Sequence, residues 1–219
     1  MTTGAGSTTL NLGTLANPAV GANYNTTSPY FYGATYSSGA TPQFLVMNFT
    51  SNDRLTAQAA NLTALTTLYV WTQDYFQTGY TSGNLSLNSI STSFADNTGS
   101  ITTLARYVIR LGTDFYVSDT VSETATPTVA SLTDPSSVSW YSYNPTSAIG
   151  TVGSSVTLSN FDNLTAAGLL LSSTRASETY MANYVYAFSV GATPIPEPSS
   201  AMLLGLSAVA LVLRRRQKA

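Results

Sequence analysis

Between residues 44 and 190 the chain breaks every ten residues or so at Gly, Asn, Asp or Pro, and short runs rich in Tyr, Val, Thr and Leu stand between the breaks. This punctuation narrows the fold more than any other feature. β-Branched and aromatic residues in short runs, bounded by turn formers, are strand signals. The runs are 44–50, 66–73, 105–112, 114–121, 137–144, 155–161, 167–174 and 183–190. In the last, Tyr184, Tyr186, Phe188 and Val190 alternate with Val185, Ala187 and Ser189, so the bulkier set is expected to meet the core. Leu-Gly-Thr-Asp at 111–114 reads as a tight hairpin turn pairing 106–110 with 115–119. The weak exception is 53–67, where the spacing allows a turn of helix. Many short, evenly spaced strands predict an all-β, antiparallel, jelly-roll-like β-sandwich rather than an α/β fold.

Composition narrows the chemistry. Charged residues are 8% of the 219 and hydrophobic residues 43%. Roughly three in ten residues are Ser or Thr, so hydroxyls rather than charges keep the surface wet. Up to Thr193 the net charge is −5, with Arg54, Arg106, Arg110 and Arg175 as the cations; beyond it the net charge is +3. A body with no basic stripe is not a nucleic-acid binder. Cysteine and histidine are both absent, which removes disulfides, thiolate chemistry, Ser-His-Asp triads and the commonest metal ligand.

What remains is carboxylates and aromatic rings. Two facing acids would support glycoside hydrolysis, but most acids stand beside turn residues, where Asp caps local backbone. The segments 96–99 and 114–119 offer oxygen ligands for calcium, yet neither matches a calcium loop, and no cofactor is expected. The rings suggest more. Trp71, Trp140, Tyr141 and Tyr143 are the candidate ligand-contacting residues, since an exposed ring can stack on a sugar face. Core filling is the plainer reading of Trp71 and Trp140. Alternation sets Trp140 opposite Tyr141 and Tyr143, so one set faces outward. Arg106 and Arg110 flank Val108 on one strand face, read as a solvated face paired to acids across strands.

The carboxyl end has a different character. Ala201, Met202, Leu203, Leu204, Gly205, Leu206, Ser207, Ala208, Val209, Ala210, Leu211, Val212 and Leu213 form an apolar run, followed at once by Arg214, Arg215 and Arg216. As a helix the thirteen residues would cover about 20 Å, and the stretch back to Ile195 about 28 Å, against a hydrocarbon core of about 30 Å. A short single transmembrane helix is expected, with the arginines holding its end in the cytoplasm and the body outside. Pro196, Glu197 and Pro198 precede it and keep the approach extended.

Pro-Glu-Pro, a short apolar helix and an arginine-rich end, in that order, resemble a PEP-CTERM sorting signal. The resemblance implies an exported precursor inserted in the inner membrane of a Gram-negative bacterium. It also implies recognition by an exosortase, tail removal, and display or release at the cell surface alongside exopolysaccharide or biofilm production. Members usually carry a leader; "MTTGAGSTTLNLG" lacks a basic start and an apolar stretch, so one is expected upstream of Met1. The body loosely resembles jelly-roll carbohydrate-binding and lectin-like domains. The expected layout is a β-sandwich ectodomain at 1–190, a Pro-rich linker at 191–200, and a transmembrane helix with its cytoplasmic end at 201–219. The expected role is a non-enzymatic structural or carbohydrate-associating component. A secreted carbohydrate-active enzyme and a plain single-pass envelope protein are the alternatives.

Overall fold

Two strands far longer than any run in the sequence organise the molecule. The computed structural model describes residues 6–9, 24–25, 30–36, 43–47, 54–72, 85–96, 102–124, 128–145 and 150–195. Its strands are β1 (Gly6–Thr9), β2 (Tyr24–Asn25), β3 (Tyr30–Tyr36), β4 (Gln43–Met47), β5 (Arg54–Thr72), β6 (Leu85–Asp96) and β7 (Thr102–Leu111). There follow β8 (Asp114–Ser118), β9 (Ser122–Thr124), β10 (Thr128–Leu132), β11 (Trp140–Asn144), β12 (Thr151–Val156) and β13 (Leu164–Pro194). A 3-10 turn, Pro135–Ser137, is the one helical element among the described residues.

β13, with 31 residues, pairs antiparallel with the 19-residue β5 over much of its length. Ala167 lies opposite Trp71 in that ladder, and Phe188 is 21 residues further along. A straight strand would separate them by about 70 Å. Instead, the Trp71 and Phe188 rings stack with centroids 4.8 Å apart. The ribbon is therefore folded in half. Breaks in register between Thr174 and Thr179, and between Thr179 and Met181, mark the bend. Asn61, with φ of 60°, sits on β5 beside it; Asn is among the few residues that adopt a left-handed conformation readily.

The fold makes a two-layer antiparallel sandwich from one continuous sheet. The first layer runs β12-β11-β8-β7-β13-β5-β3-β2, with β9 beside the start of β7. In the second, the later half of β13 pairs with β6, and β6 with β10. β4 extends this layer along the start of β5, and β1 along Ser189–Ala192 of β13. Tyr69, Trp71, Tyr107, Ile109, Leu169 and Leu171 from the first layer meet Ile90, Phe94, Val185 and Phe188 from the second in one buried cluster. All ten are at most 1% exposed, so truncating any of the aromatic members would cost about 3–5 kcal/mol.

One polar group crosses this core. Asn183 is fully buried. Its Oδ1 accepts from Ser173 Oγ at 2.6 Å, and its Nδ2 donates to Thr67 Oγ1 at 3.1 Å and to Leu65 O at 3.4 Å. Ser173 Oγ in turn shares a hydrogen with Thr103 Oγ1 at 3.0 Å. Asn183 belongs to the second layer and its partners to the first, so the network joins the layers near the bend.

The hairpin expected at 111–114 is present: Leu111 pairs with Asp114, and Val108 with Val117, across Gly112 and Thr113. Gly112 takes a φ of +61°, which a turn this tight requires. Other expectations need correction. Residues 53–67 hold no helical turn; from Arg54 they are strand. The runs 167–174 and 183–190 are parts of one strand. A register break between Val185 and Ala187 moves Val185, Phe188 and Val190 into the core, while Tyr184 and Tyr186 pack together in a separate cluster. The alternation read along 183–190 fails there because a bulge shifts the side-chain phase.

β13 continues through Pro194, four residues into the segment read as linker. Residues 196–219, with the Pro-Glu-Pro motif, the apolar run and the arginines, lie outside the described residues. Among the described residues no helix is long and apolar enough to cross a membrane.

Candidate functional site

Directly paired residues in antiparallel strands share a face, so the registers define the outward face of the first layer. One row runs Tyr143–Phe115–Arg110–Ala166–Thr72, and the next runs Tyr141–Val117–Val108–Gly168–Val70. A third carries Arg106, Leu170 and Leu68. The middle of this face is closed to solvent: Val70, Val108 and Val117 are fully buried. Toward β8 and β11 the face opens, and Arg110, Phe115 and Tyr141 are half-buried.

These three side chains and Tyr143 form the candidate site. The Arg110 guanidinium carbon lies 5.3 Å from the centroid of the Phe115 ring, within the range of a cation–π contact. Arg110 Nε is buried and makes no hydrogen bond. No acidic side chain pairs with Arg106 or Arg110 among the described residues, so the cross-strand ion pairs expected for them are not formed there. Burial pushes the Tyr143 hydroxyl above the usual tyrosine range and keeps it neutral. The cluster thus presents flat apolar rings beside a planar, five-donor cation. Such a surface can stack against ring CH groups while it donates hydrogen bonds to hydroxyl or carboxylate oxygens.

The hairpin register supplies the cluster. Gly112 and Thr113 reverse the chain so that Phe115 lands opposite Arg110. β11 adds itself to β8 through Tyr141–Val117 and Tyr143–Phe115. Gly168 holds the middle of the ladder close: a Cβ there would clash with Tyr69 O and meet the Val70 Cα at 2.7 Å.

The four candidate ring residues divide as follows. Tyr141 and Tyr143 lie on this face. Trp140 lies on the other side of β11 and is 2% exposed; its Nε1 donates to Pro135 O at 2.8 Å, and its ring packs 5.8 Å from Phe161. Trp71 is 1% exposed and stacked in the core. No sugar face can reach either tryptophan face-on, so ring stacking falls to Tyr141 and Phe115. Sequence reasoning passed over Phe115 and read Arg110 as solvated surface. The signal that could have found both was the 111–114 hairpin, which sets one opposite the other.

Three of the described acids are committed locally. Asp134 Oδ1 accepts from Ser136 Oγ at 2.7 Å and Ser136 N at 2.9 Å. These bonds hold its carboxyl below the usual carboxylate range. Asp119 Oδ1 accepts from Thr120 N at 2.7 Å, and Asp114 Oδ1 from Thr113 Oγ1 at 3.4 Å. Among the described residues no group of three or more acids gathers as a metal cluster.

Residues 194–216 match the PEP-CTERM protein-sorting motif. No curated protein sequence matches the chain. Several solved structures are similar in shape at low identity. The family 11 carbohydrate-binding module from Clostridium thermocellum, in complex with a β-1,3-1,4-mixed-linked tetrasaccharide, is 12% identical, with a TM-score of 0.42, over 85% of this chain and 95% of that one. A solution structure of CtCBM11 is 11% identical, with a TM-score of 0.46, over 90% and 100%. Arcelin-5, a lectin-like defence protein from Phaseolus vulgaris, is 12% identical, with a TM-score of 0.35, over 86% and 99%.

Proposed function

We propose that this protein is an exported, non-enzymatic β-sandwich, sorted by its tail and associating with saccharide chains through the open side of its first layer. The sorting motif at 194–216 supports export through a membrane-passing precursor. In this reading the apolar run at 201–213 inserts as a short helix, Arg214, Arg215 and Arg216 stay in the cytoplasm, and an exosortase acts at Pro196, Glu197 and Pro198. The body is then displayed at, or released from, the surface of a Gram-negative bacterium, among the exopolysaccharide it helps to organise.

The observation that carries the saccharide reading is Arg110 over the Phe115 ring, beside Tyr141 and Tyr143, on a sheet face with no acidic partner described for the cation. Tyr141 and Phe115 offer ring faces, and Arg110 offers directed donors. With Arg110, Phe115 and Tyr141 half-buried rather than enclosed, the surface suits a polymer lying across it more than an enclosed small molecule.

Affinity electrophoresis through gels containing neutral or acidic polysaccharides tests this. At least one polymer is expected to retard the protein. Tyr141→Ala is expected to weaken retardation about tenfold, the usual scale for truncating an aromatic anchor. Unchanged retardation in Tyr141→Ala and in Phe115→Ala would remove this face from the account.

A further inference from the structure

Trp140, turned away from the Tyr141 face, borders a second site. It lines a cavity of about 230 Å³ together with Val156 and Phe161 and the hydroxyl-bearing Ser139, Ser155 and Thr157. The cavity lies between the 3-10 turn, the start of β11 and the chain leaving β12. Each wall is tied down. Trp140 Nε1 is bonded to Pro135 O at 2.8 Å. Phe161 O accepts from Leu87 N at 3.0 Å, and Ser139 O accepts from Asp119 N at 2.7 Å.

The chemistry of the lining selects a ligand class. None of the lining residues ionises. The carboxylate of Asp134, close in sequence to the lining residue Ser136, already accepts from that residue. The floor is apolar and half-buried at Val156 and Phe161. The side chains of Ser139 and Thr157 are exposed and make no hydrogen bond among the described residues, so each hydroxyl is free to donate once and accept twice. The volume is several times the ~30 Å³ that one water occupies, and below the ~300 Å³ at which pockets for drug-sized ligands begin. An uncharged ring with CH groups on one side and hydroxyls around its edge fits all four properties.

We propose that this cavity is a binding pocket for a single neutral sugar residue, separate from the Tyr141 face. It would hold the end of a chain or a free monosaccharide, with ring CH groups over Phe161 and Val156 and hydroxyls toward Ser139 and Thr157. A uronate is excluded, because its carboxylate would lose water without gaining a cation.

The test uses the full-length chain in a phosphocholine detergent, which presents no sugar headgroup. Glucose, galactose, mannose and N-acetylglucosamine are titrated, with glucuronate as the charged control. The readout is the Trp140 indole N–H resonance, assigned by its survival in Trp71→Phe. At least one neutral sugar is expected to shift this resonance and the amides of Ser139 and Thr157 saturably, at millimolar concentration, with glucuronate at least tenfold weaker. Thr157→Phe, at an exposed position, is expected to fill the mouth and weaken the response at least tenfold. No response to any neutral sugar, a response that never saturates, an equal response to glucuronate, or an undiminished response in Thr157→Phe would each overturn the assignment. The pocket floor lies across β11 from Tyr141, so failure of the polymer-binding face leaves this result unaffected.

Discussion

Replacing Asn183 by alanine should loosen the closure of the two layers. Three hydrogen bonds disappear, from Ser173 Oγ at 2.6 Å, to Thr67 Oγ1 at 3.1 Å and to Leu65 O at 3.4 Å. The first two have good lengths and contribute about 1 kcal/mol each, net of water; the long third adds little. The stranded partners add to the loss. Ser173 keeps Thr103, but both it and Thr67 remain buried beside a gap of side-chain size, which costs about 1 kcal/mol more. The expected destabilisation is about 3 kcal/mol, or about 6–12 °C in Tm for a chain of this length. Urea unfolding followed by circular dichroism reads it as a lower midpoint at unchanged slope. A triple variant, Thr67→Val, Ser173→Ala and Asn183→Leu, replaces donors and acceptors together and should recover at least half of the loss. A loss below about 0.5 kcal/mol in Asn183→Ala, the range of neutral surface changes, would refute the claim that this network joins the layers. So would a triple variant weaker than the single one.

Three further outcomes follow from the same geometry. Gly168→Ala should destabilise by about 1–3 kcal/mol, the range for overpacking, because the new methyl meets backbone at Tyr69 and Val70 rather than a side chain that can move aside; a neutral effect in thermal melts would contradict the close ladder. Alkaline pH should unfold the protein cooperatively. Burial raises the Tyr69, Tyr107 and Tyr143 hydroxyls above their ordinary value, so the unfolded chain releases these protons first, and stability present below about pH 10 is lost as pH rises above it. Absorbance at 295 nm should then rise together with the loss of structure, and tyrosinate formation in a chain still folded would be the contrary result. Asp134 carries the opposite sign. Its carboxyl titrates below the usual range, so its contribution is present above about pH 4 and fades as pH falls further; carbon-detected NMR should place its midpoint below that of Asp134 in a Ser136→Ala variant.

Much of the architecture is written locally, and the exceptions have physical causes. The Gly-Thr turn between Leu111 and Asp114 was legible because so few residue pairs close a two-residue hairpin. β6 was not: its face away from the core is Ser86, Asn88, Ser91 and Ser93, which in sequence looks like loop, and register breaks in its pairing with β13 spread its buried Leu85, Leu87, Ile90 and Phe94 at uneven intervals. Residues 53–67 suggested a helical turn because Leu55, Leu62 and Leu65 recur at helix-like spacing, while the chain is strand that passes the bend at Asn61. Tyr184 and Tyr186 were set on the core side because a bulge is invisible to alternation counting. In the candidate site, alternation separated Trp140 from Tyr141 and Tyr143, but which side is core depends on β13 folding back to bring Phe188 onto Trp71. Arg110 and Phe115 became partners only through register. The neutral pocket draws on the 3-10 turn, β11 and the segment after β12, which no local pattern connects.

The most direct measurement of the central claim is the intact mass and location of the chain, made behind an export leader in a host that carries the sorting protease. The proposal predicts a body outside the inner membrane whose mass ends near Pro196, Glu197 and Pro198, and a full-length, membrane-bound form when the protease is deleted. Uncut protein dissolved in the cytosol of both hosts would contradict it.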